Sequence, residues 1–360
     1  MSSQLICPVC ETSIPPGPDE PWKCPHCEGP LELPESGAER MPEERQDLWT
    51  FTDRIPVDRN VSLGEGLTPE VEEGRLGASL KLEYLSPSSS FKDRGVTTML
   101  SRAAEMDVTK IINDSSGNAG FSTALYGAKA GINVKIYAPA SAPQKKLTSI
   151  ERVGAEVVPI EGSRRDVKNA CISAASQNGI WYASHWWRPS FLAGTKTVAF
   201  ESVQYRGGTA PDIVILPVGA GTLFLGAYRG FRELKQSSEI DTMPRLVAAQ
   251  AAGYASLSDQ SASSQDNTNK VAKGIHIADP PRQEEIAGAI GETGGDAIAV
   301  TETETYDALD KLHRMGYYVE PTCAVALAAL DRLKNDGQIR SDDDVLVPLT
   351  GSGFKSDFSD

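Results

Sequence analysis

The sequence has no apolar run long enough to span a bilayer. Its longest, such as Ile213–Pro217 and Ala324–Leu330, fall far short of the ~20 residues a crossing needs. Basic residues are the minority, 35 against 49 acidic, and the net charge of −14 opposes binding to nucleic acid or to an anionic membrane. No basic-then-apolar leader opens the chain, so a cytoplasmic location is expected. Two nucleotide signatures are also missing. The turn Val218-Gly219-Ala220-Gly221-Thr222-Leu223 lacks the Gly-Lys-Ser/Thr of a Walker loop. It also fails the dinucleotide fingerprint, because Phe224 stands at the third glycine and Arg245–Gln250 supplies no ribose-binding acid. Cysteine is scarce beyond the first 27 residues, which hold four of the six.

Those four form two knuckles, Cys7-x-x-Cys10 and Cys24-x-x-Cys27, thirteen residues apart, with Pro8 and Pro25 at equivalent places. Such turns converge two thiolates each on one ion, and two of them complete a tetrahedral site. The intervening Pro15, Pro16, Pro18 and Pro21 leave residues 1–33 almost no core, so structural zinc would supply much of the folding energy. Two disulfides are the alternative, disfavoured in a reducing compartment. His26 could replace a thiol, but four already suffice. One lysine and no arginine in this segment argue against nucleic acid.

At 360 residues there is room for two domains. Residues 34–60 read as a linker and exposed arm. Strands are expected at Ser79–Tyr84, Lys110–Asn113, Asn133–Tyr137, Glu156–Ile160, Asp212–Pro217, Leu246–Ala249, Ala297–Thr301 and Asp344–Leu349. Between many of them lie helical patterns, and this alternation predicts βαβ units with parallel sheets, an α/β fold. The Ser/Asp/Gln-rich stretch Ala255–Lys270 reads as a surface loop.

Four polar turns stand out. In Ser86-Pro87-Ser88-Ser89-Ser90-Phe91-Lys92-Asp93-Arg94-Gly95, Lys92 opens an amphipathic helix, where the dipole disfavours an ammonium and favours a nucleophilic amine. Ser115-Ser116-Gly117-Asn118-Ala119-Gly120 lies between a strand and a helix, where such sheets bind ligands. Gly219–Leu223 offers a cradle for one phosphate. Thr350-Gly351-Ser352 ends the last strand. The aromatic stretch Trp181–Arg188, containing His185, suits either a substrate wall or an interface patch.

Together these turns resemble the fold-type II pyridoxal-phosphate enzymes, most closely the threonine synthase-like group, over about residues 60–355. Ser90-Phe91-Lys92-Asp93-Arg94-Gly95 matches the group's lysine motif; Gly64-Glu65-Gly66-Leu67-Thr68-Pro69, Gly194-Thr195-Lys196-Thr197 and Glu320-Pro321 look like further landmarks. The resemblance implies two domains, each with a mostly parallel sheet: a larger cofactor domain (34–100 and 199–360) and a smaller mobile one (101–198). It implies that Lys92 binds pyridoxal 5'-phosphate covalently and shuttles protons. Asn118 would bond the cofactor's 3′-oxygen, Gly219, Ala220, Gly221, Thr222 and Leu223 its phosphate, and Thr350 its ring nitrogen. Ser115, Ser116 and Ala119 would meet an amino-acid substrate's α-carboxylate. A homodimer is the usual assembly.

The substrate side departs from the group's pattern. Places that contact a substrate phosphate there hold His185, Trp186 and Phe191, leaving Arg188 or Arg94 as substitutes. An uncharged or smaller amino acid suits this segment. Alternatives to conversion of O-phosphohomoserine into threonine are a serine/threonine ammonia-lyase and a catalytically silent protein whose cap docks a partner.

Overall fold

The computed structural model describes residues 3–34, 41–42, 46–178, 180–258 and 268–356. In chain order the elements are β1 (Leu5–Ile6), β2 (Ser13–Ile14), β3 (Glu70–Glu73), β4 (Ala78–Lys81), α1 (Lys92–Glu105), β5 (Lys110–Asn113) and α2 (Asn118–Ala130). Then follow β6 (Asn133–Pro139), α3 (Gln144–Arg152), β7 (Glu156–Ile160), α4 (Arg164–Asn178), β8 (Trp181–Tyr182), α5 (Pro189–Thr195) and α6 (Thr197–Tyr205). The remainder is β9 (Ile213–Pro217), α7 (Thr222–Gln236), β10 (Arg245–Ala251), α8 (Gln283–Glu292), β11 (Asp296–Val300), α9 (Glu302–Arg314), α10 (Pro321–Asn335) and β12 (Val345–Pro348).

The chain divides into two compact units, 1–38 with 42–66 and 92–195, and 39–41 with 67–91 and 196–360. By this division α1 lies whole in the first unit, packed on α2 and α5. The first unit carries the antiparallel β1–β2 pair and a four-stranded parallel sheet, β7-β6-β5-β8. The second carries six strands, β11-β10-β9-β12-β4-β3, parallel except for the antiparallel edge strand β3. Strand β9 is buried at all five residues, as a run of Ile-Val-Ile-Leu-Pro demands in a sheet covered on both faces.

Local chemistry sets the boundaries. Gly131, at φ 69°, ends α2 in the left-handed conformation that a side chain resists. Thr301 and Glu304 close a reciprocal capping box on α9, and Pro321 opens α10 where its missing N–H costs nothing. Two expectations need correction. Residues 48–57 are no exposed arm, because Leu48, Trp49, Phe51, Ile55 and Val57 are buried, with a 3-10 turn over Leu48–Arg54. The strand expected to reach Tyr84 stops at Lys81 and gives way to a 3-10 turn, Glu83–Leu85. Helices α5, α6 and α8 and strand β3 had no expectation at all. Residues 35–40 and 43–45 of the expected linker, and 259–267 of the expected surface loop, lie outside the described residues.

Candidate active site

In the first unit, Lys92 is the half-buried first residue of α1. Its ammonium nitrogen stands 5.7 Å from the centroid of the Phe191 ring. Two glycines make that approach possible. A Cβ on Gly95 would meet the Phe191 ring at 2.5 Å, and one on Gly194 would meet the Arg94 carbonyl oxygen at 1.8 Å. Helices α1 and α5 therefore touch backbone to backbone, and the Thr98 hydroxyl donates to the Ser190 carbonyl across the seam at 2.6 Å. Asp93 accepts a 2.5 Å hydrogen bond from the Ser122 hydroxyl, which ties the start of α1 to α2.

The turn expected at Ser115–Gly120 closes at the carboxyl end of β5. A Cβ at Gly120 would fall 1.5 Å from the Ser115 carbonyl oxygen, so only glycine fits there. Asn113, which sequence reasoning missed, orders the turn: its Oδ1 accepts from the Ser115 N–H (2.8 Å) and its amide donates to Ala183 (2.6 Å). Ala183 leads to His185, so both segments follow the carboxyl ends of neighbouring parallel strands, β5 and β8. The helix start at Asn118 has no side-chain cap.

His185 is buried, its ring 5.9 Å from Phe191 and 5.7 Å from Trp186, and its Nδ1 has no hydrogen-bond partner. Burial, reinforced by the positive charges of Lys92 and Arg164, holds its pKa well below 6.5, so the imidazole is neutral. Its pH signature follows. The unfolded chain protonates this group near 6.5 and the folded chain only at much lower pH, so stability is undiminished above about 6.5 and falls below it, by at most ~1.4 kcal/mol per pH unit. In urea unfolding at about pH 7.5 and about pH 5.5, His185→Phe should narrow the gap between midpoints. An unchanged gap would contradict the neutral buried imidazole.

Arg188 is not available to a substrate. Its guanidinium lies 3.6 Å from the Trp181 ring centroid, donates to the Tyr182 carbonyl, and reaches the Glu20 carboxylate at 3.2 Å. Burial draws it down to about 9, opposed by Glu20.

The second unit holds the other turns. Gly219–Leu223 follows β9, and Thr350 follows β12, its neighbour in the sheet. A Cβ at Gly219 would press on the Ile275 backbone at 2.8 Å, and Gly221 adopts φ 75°. No side chain caps the start of α7. Bare backbone donors at a helix start, cradled by glycines, fit a phosphate group. Thr350 is buried, its hydroxyl 3.5 Å from the Cys323 thiol; burial pushes that thiol up to about 12, so it stays neutral. Sequence reasoning missed Cys323. The Phe91 N–H donates to the Thr350 carbonyl (3.0 Å), and Ser90 pairs with Gly351, so the residue before Lys92 is registered on the last turn.

In the cap, the Sγ atoms of Cys7, Cys10, Cys24 and Cys27 all lie within 4.8 Å of one another, and all four thiols are free. A tetrahedral zinc–thiolate site needs sulfurs about 3.8 Å apart. The knuckles repeat one geometry: Glu11 and Glu28, each just past a knuckle, both have φ 59°, and their N–H groups donate to Cys7 and Cys24. The Thr12 hydroxyl holds the Cys10 thiol down to about 6, towards the thiolate that a metal requires.

The family described as "Pyridoxal-phosphate dependent enzyme" matches residues 61–351, which include Lys92, Ser115–Gly120, Gly219–Leu223 and Thr350. The chain belongs to that family. It is threonine synthase-like: it is 32% identical to the threonine synthase of Methanosarcina acetivorans, over 93% of this chain and 88% of that one. It is 31% identical to that of Methanocaldococcus jannaschii, over 88% and 82%. Among solved structures, a fungal L-serine ammonia-lyase from Rhizomucor miehei superposes with a TM-score of 0.68 at 19% identity, covering 79% of this chain and 93% of that one, which shows the shared fold. This enzyme of the lyase class has no helix, among the described residues, long and apolar enough to cross a membrane.

Proposed function

We propose that this pyridoxal-phosphate-dependent enzyme acts on a free amino acid by elimination or replacement at its β or γ carbon, with Lys92 as the catalytic amine. The observation that carries the reading is the placement of Lys92, first in α1, against Phe191 and directly after a stretch registered on Thr350–Ser352. When bound, pyridoxal phosphate supplies an electron sink for the charge left at the substrate's α-carbon. Lys92 Nζ holds the cofactor and moves the α-proton. The N–H groups of Gly219–Leu223 bind the phosphate, Asn118 bonds the ring oxygen, and the neutral Thr350 hydroxyl meets the ring nitrogen. Ser115, Ser116 and Ala119 bind the α-carboxylate, while neutral His185 faces the side chain. Zinc on Cys7, Cys10, Cys24 and Cys27 stabilises the cap. A mobile smaller domain and a cytoplasmic homodimer belong to the same reading.

Two products are in play. The named relatives favour threonine formed from O-phosphohomoserine. The capture of Arg188 by Glu20 favours an unphosphorylated substrate, and with it serine or threonine ammonia-lyase activity. Purified enzyme given pyridoxal phosphate should show a visible absorption band, and borohydride should fix the pyridoxyl group on Lys92. A panel of O-phosphohomoserine, serine and threonine then separates the products, phosphate with threonine or ammonia with a keto acid. A colourless protein that borohydride leaves unlabelled would overturn the proposal.

A further inference from the structure

The matched family region, residues 61–351, leaves out the cysteine cap, yet the cap sends one side chain deep into the first unit. Glu20 lies in the proline-rich stretch between the knuckles, and its side chain is 1% exposed. Its carboxylate accepts from Arg102 Nη2 at 2.5 Å and Nε at 3.0 Å, and from Arg188 Nη1 at 3.2 Å. Arg188 Nη1 also donates to the Glu20 and Pro21 carbonyls, at 3.0 and 3.3 Å. One carboxylate thus separates two guanidiniums whose side chains are 0% and 1% exposed. Without its charge, two like charges would face each other away from water, an arrangement that proteins relieve by moving.

What would move matters for the reaction. Arg188 is bonded to Tyr182, and its carbonyl accepts the N–H of Phe191, the ring that meets both Lys92 and His185. Trp22, next to the second knuckle, packs edge-on against Tyr182 and Trp187, at 5.6 and 5.2 Å between centroids. The stretch that carries Glu20 is anchored at both ends by cysteines of the four-thiol site.

We infer that Glu20 is a positioning residue for the substrate-side segment 182–191, and that the four-cysteine site sets its place. The inference rests on the proposed function only in taking that segment to face the substrate.

The test compares holoenzyme wild type with Glu20→Gln, each before and after metal removal by a chelator. Glu20→Gln should keep the visible band and borohydride labelling of Lys92, but raise KM for the amino-acid substrate about tenfold or more, with kcat within about threefold. Chelated wild type should show the same rise with a shift in tryptophan emission, and chelation should add nothing in Glu20→Gln. If Glu20→Gln does not fold, Arg188→Lys, which keeps the charge but loses the fork, should give the same KM rise. A wild-type KM in either variant, or an equal chelator effect in wild type and Glu20→Gln, would overturn the inference. Loss of the band from wild type would instead strike the proposed function.

Discussion

Lys92→Ala is expected to abolish the visible band of the cofactor-loaded enzyme and to lower turnover by on the order of 10³-fold or more. In the proposed reaction this amine both holds the cofactor and carries the proton. Its loss removes two functions at one atom. The fold should survive. Lys92 is half-buried, and alanine at the first position of α1 is at least as good a helix former. Absorbance, borohydride labelling and urea unfolding measured on one sample separate the outcomes. A variant that unfolds at the wild-type midpoint but carries no band supports the assignment. One that keeps the band shows that another lysine bears the cofactor.

Gly194→Ala should be strongly damaging to the first unit, costing about 3 kcal/mol or more. A methyl there would sit 1.8 Å from the Arg94 carbonyl oxygen and 2.5 Å from the Thr98 hydroxyl. Neither backbone can yield without parting α1 from α5, which would carry Phe191 away from Lys92. Both the urea midpoint and the affinity for pyridoxal phosphate should fall. Gly288→Ala provides the control. Gly288 lies in the exposed part of α8 with nothing within 4 Å of its would-be Cβ, so alanine should stabilise by about 0.5–1 kcal/mol. Equal behaviour of the two variants would contradict the close helix contact.

The α/β alternation was legible because burial writes itself into period and composition. Strands such as Lys110–Asn113 and Glu156–Ile160, and the start of α1 at Lys92, are where the sequence pattern places them. The elements that escaped notice lack such a signature. Helices α5 and α6 run together as a fully or largely buried, small-residue stretch with no polar face, so no helical period emerges. Strand β3 reads Glu-Val-Glu-Glu and pairs only at a sheet edge, where backbone hydrogen bonding rather than side-chain burial makes the strand.

The site divides the same way. Lys92, the Ser115–Ala119 turn, Gly219–Leu223, Thr350 and the four cysteines were legible because each is a short segment whose chemistry depends on its own spacing. Asn113, Cys323 and Glu20 were not, because their roles come from partners distant in sequence: Ala183, Thr350, and the Arg102–Arg188 pair. Arg188 shows the limit most directly. From sequence it is a free cation near a substrate segment; folded, it is held by Glu20, 168 residues away in the chain. Sequence alone therefore singled out the lysine, the glycine turns and the paired-cysteine knuckles as candidates, since local spacing and residue chemistry suffice for that. Only the tertiary structure decided which charges are already paired and which groups meet Lys92, because burial and ion pairing depend on long-range packing.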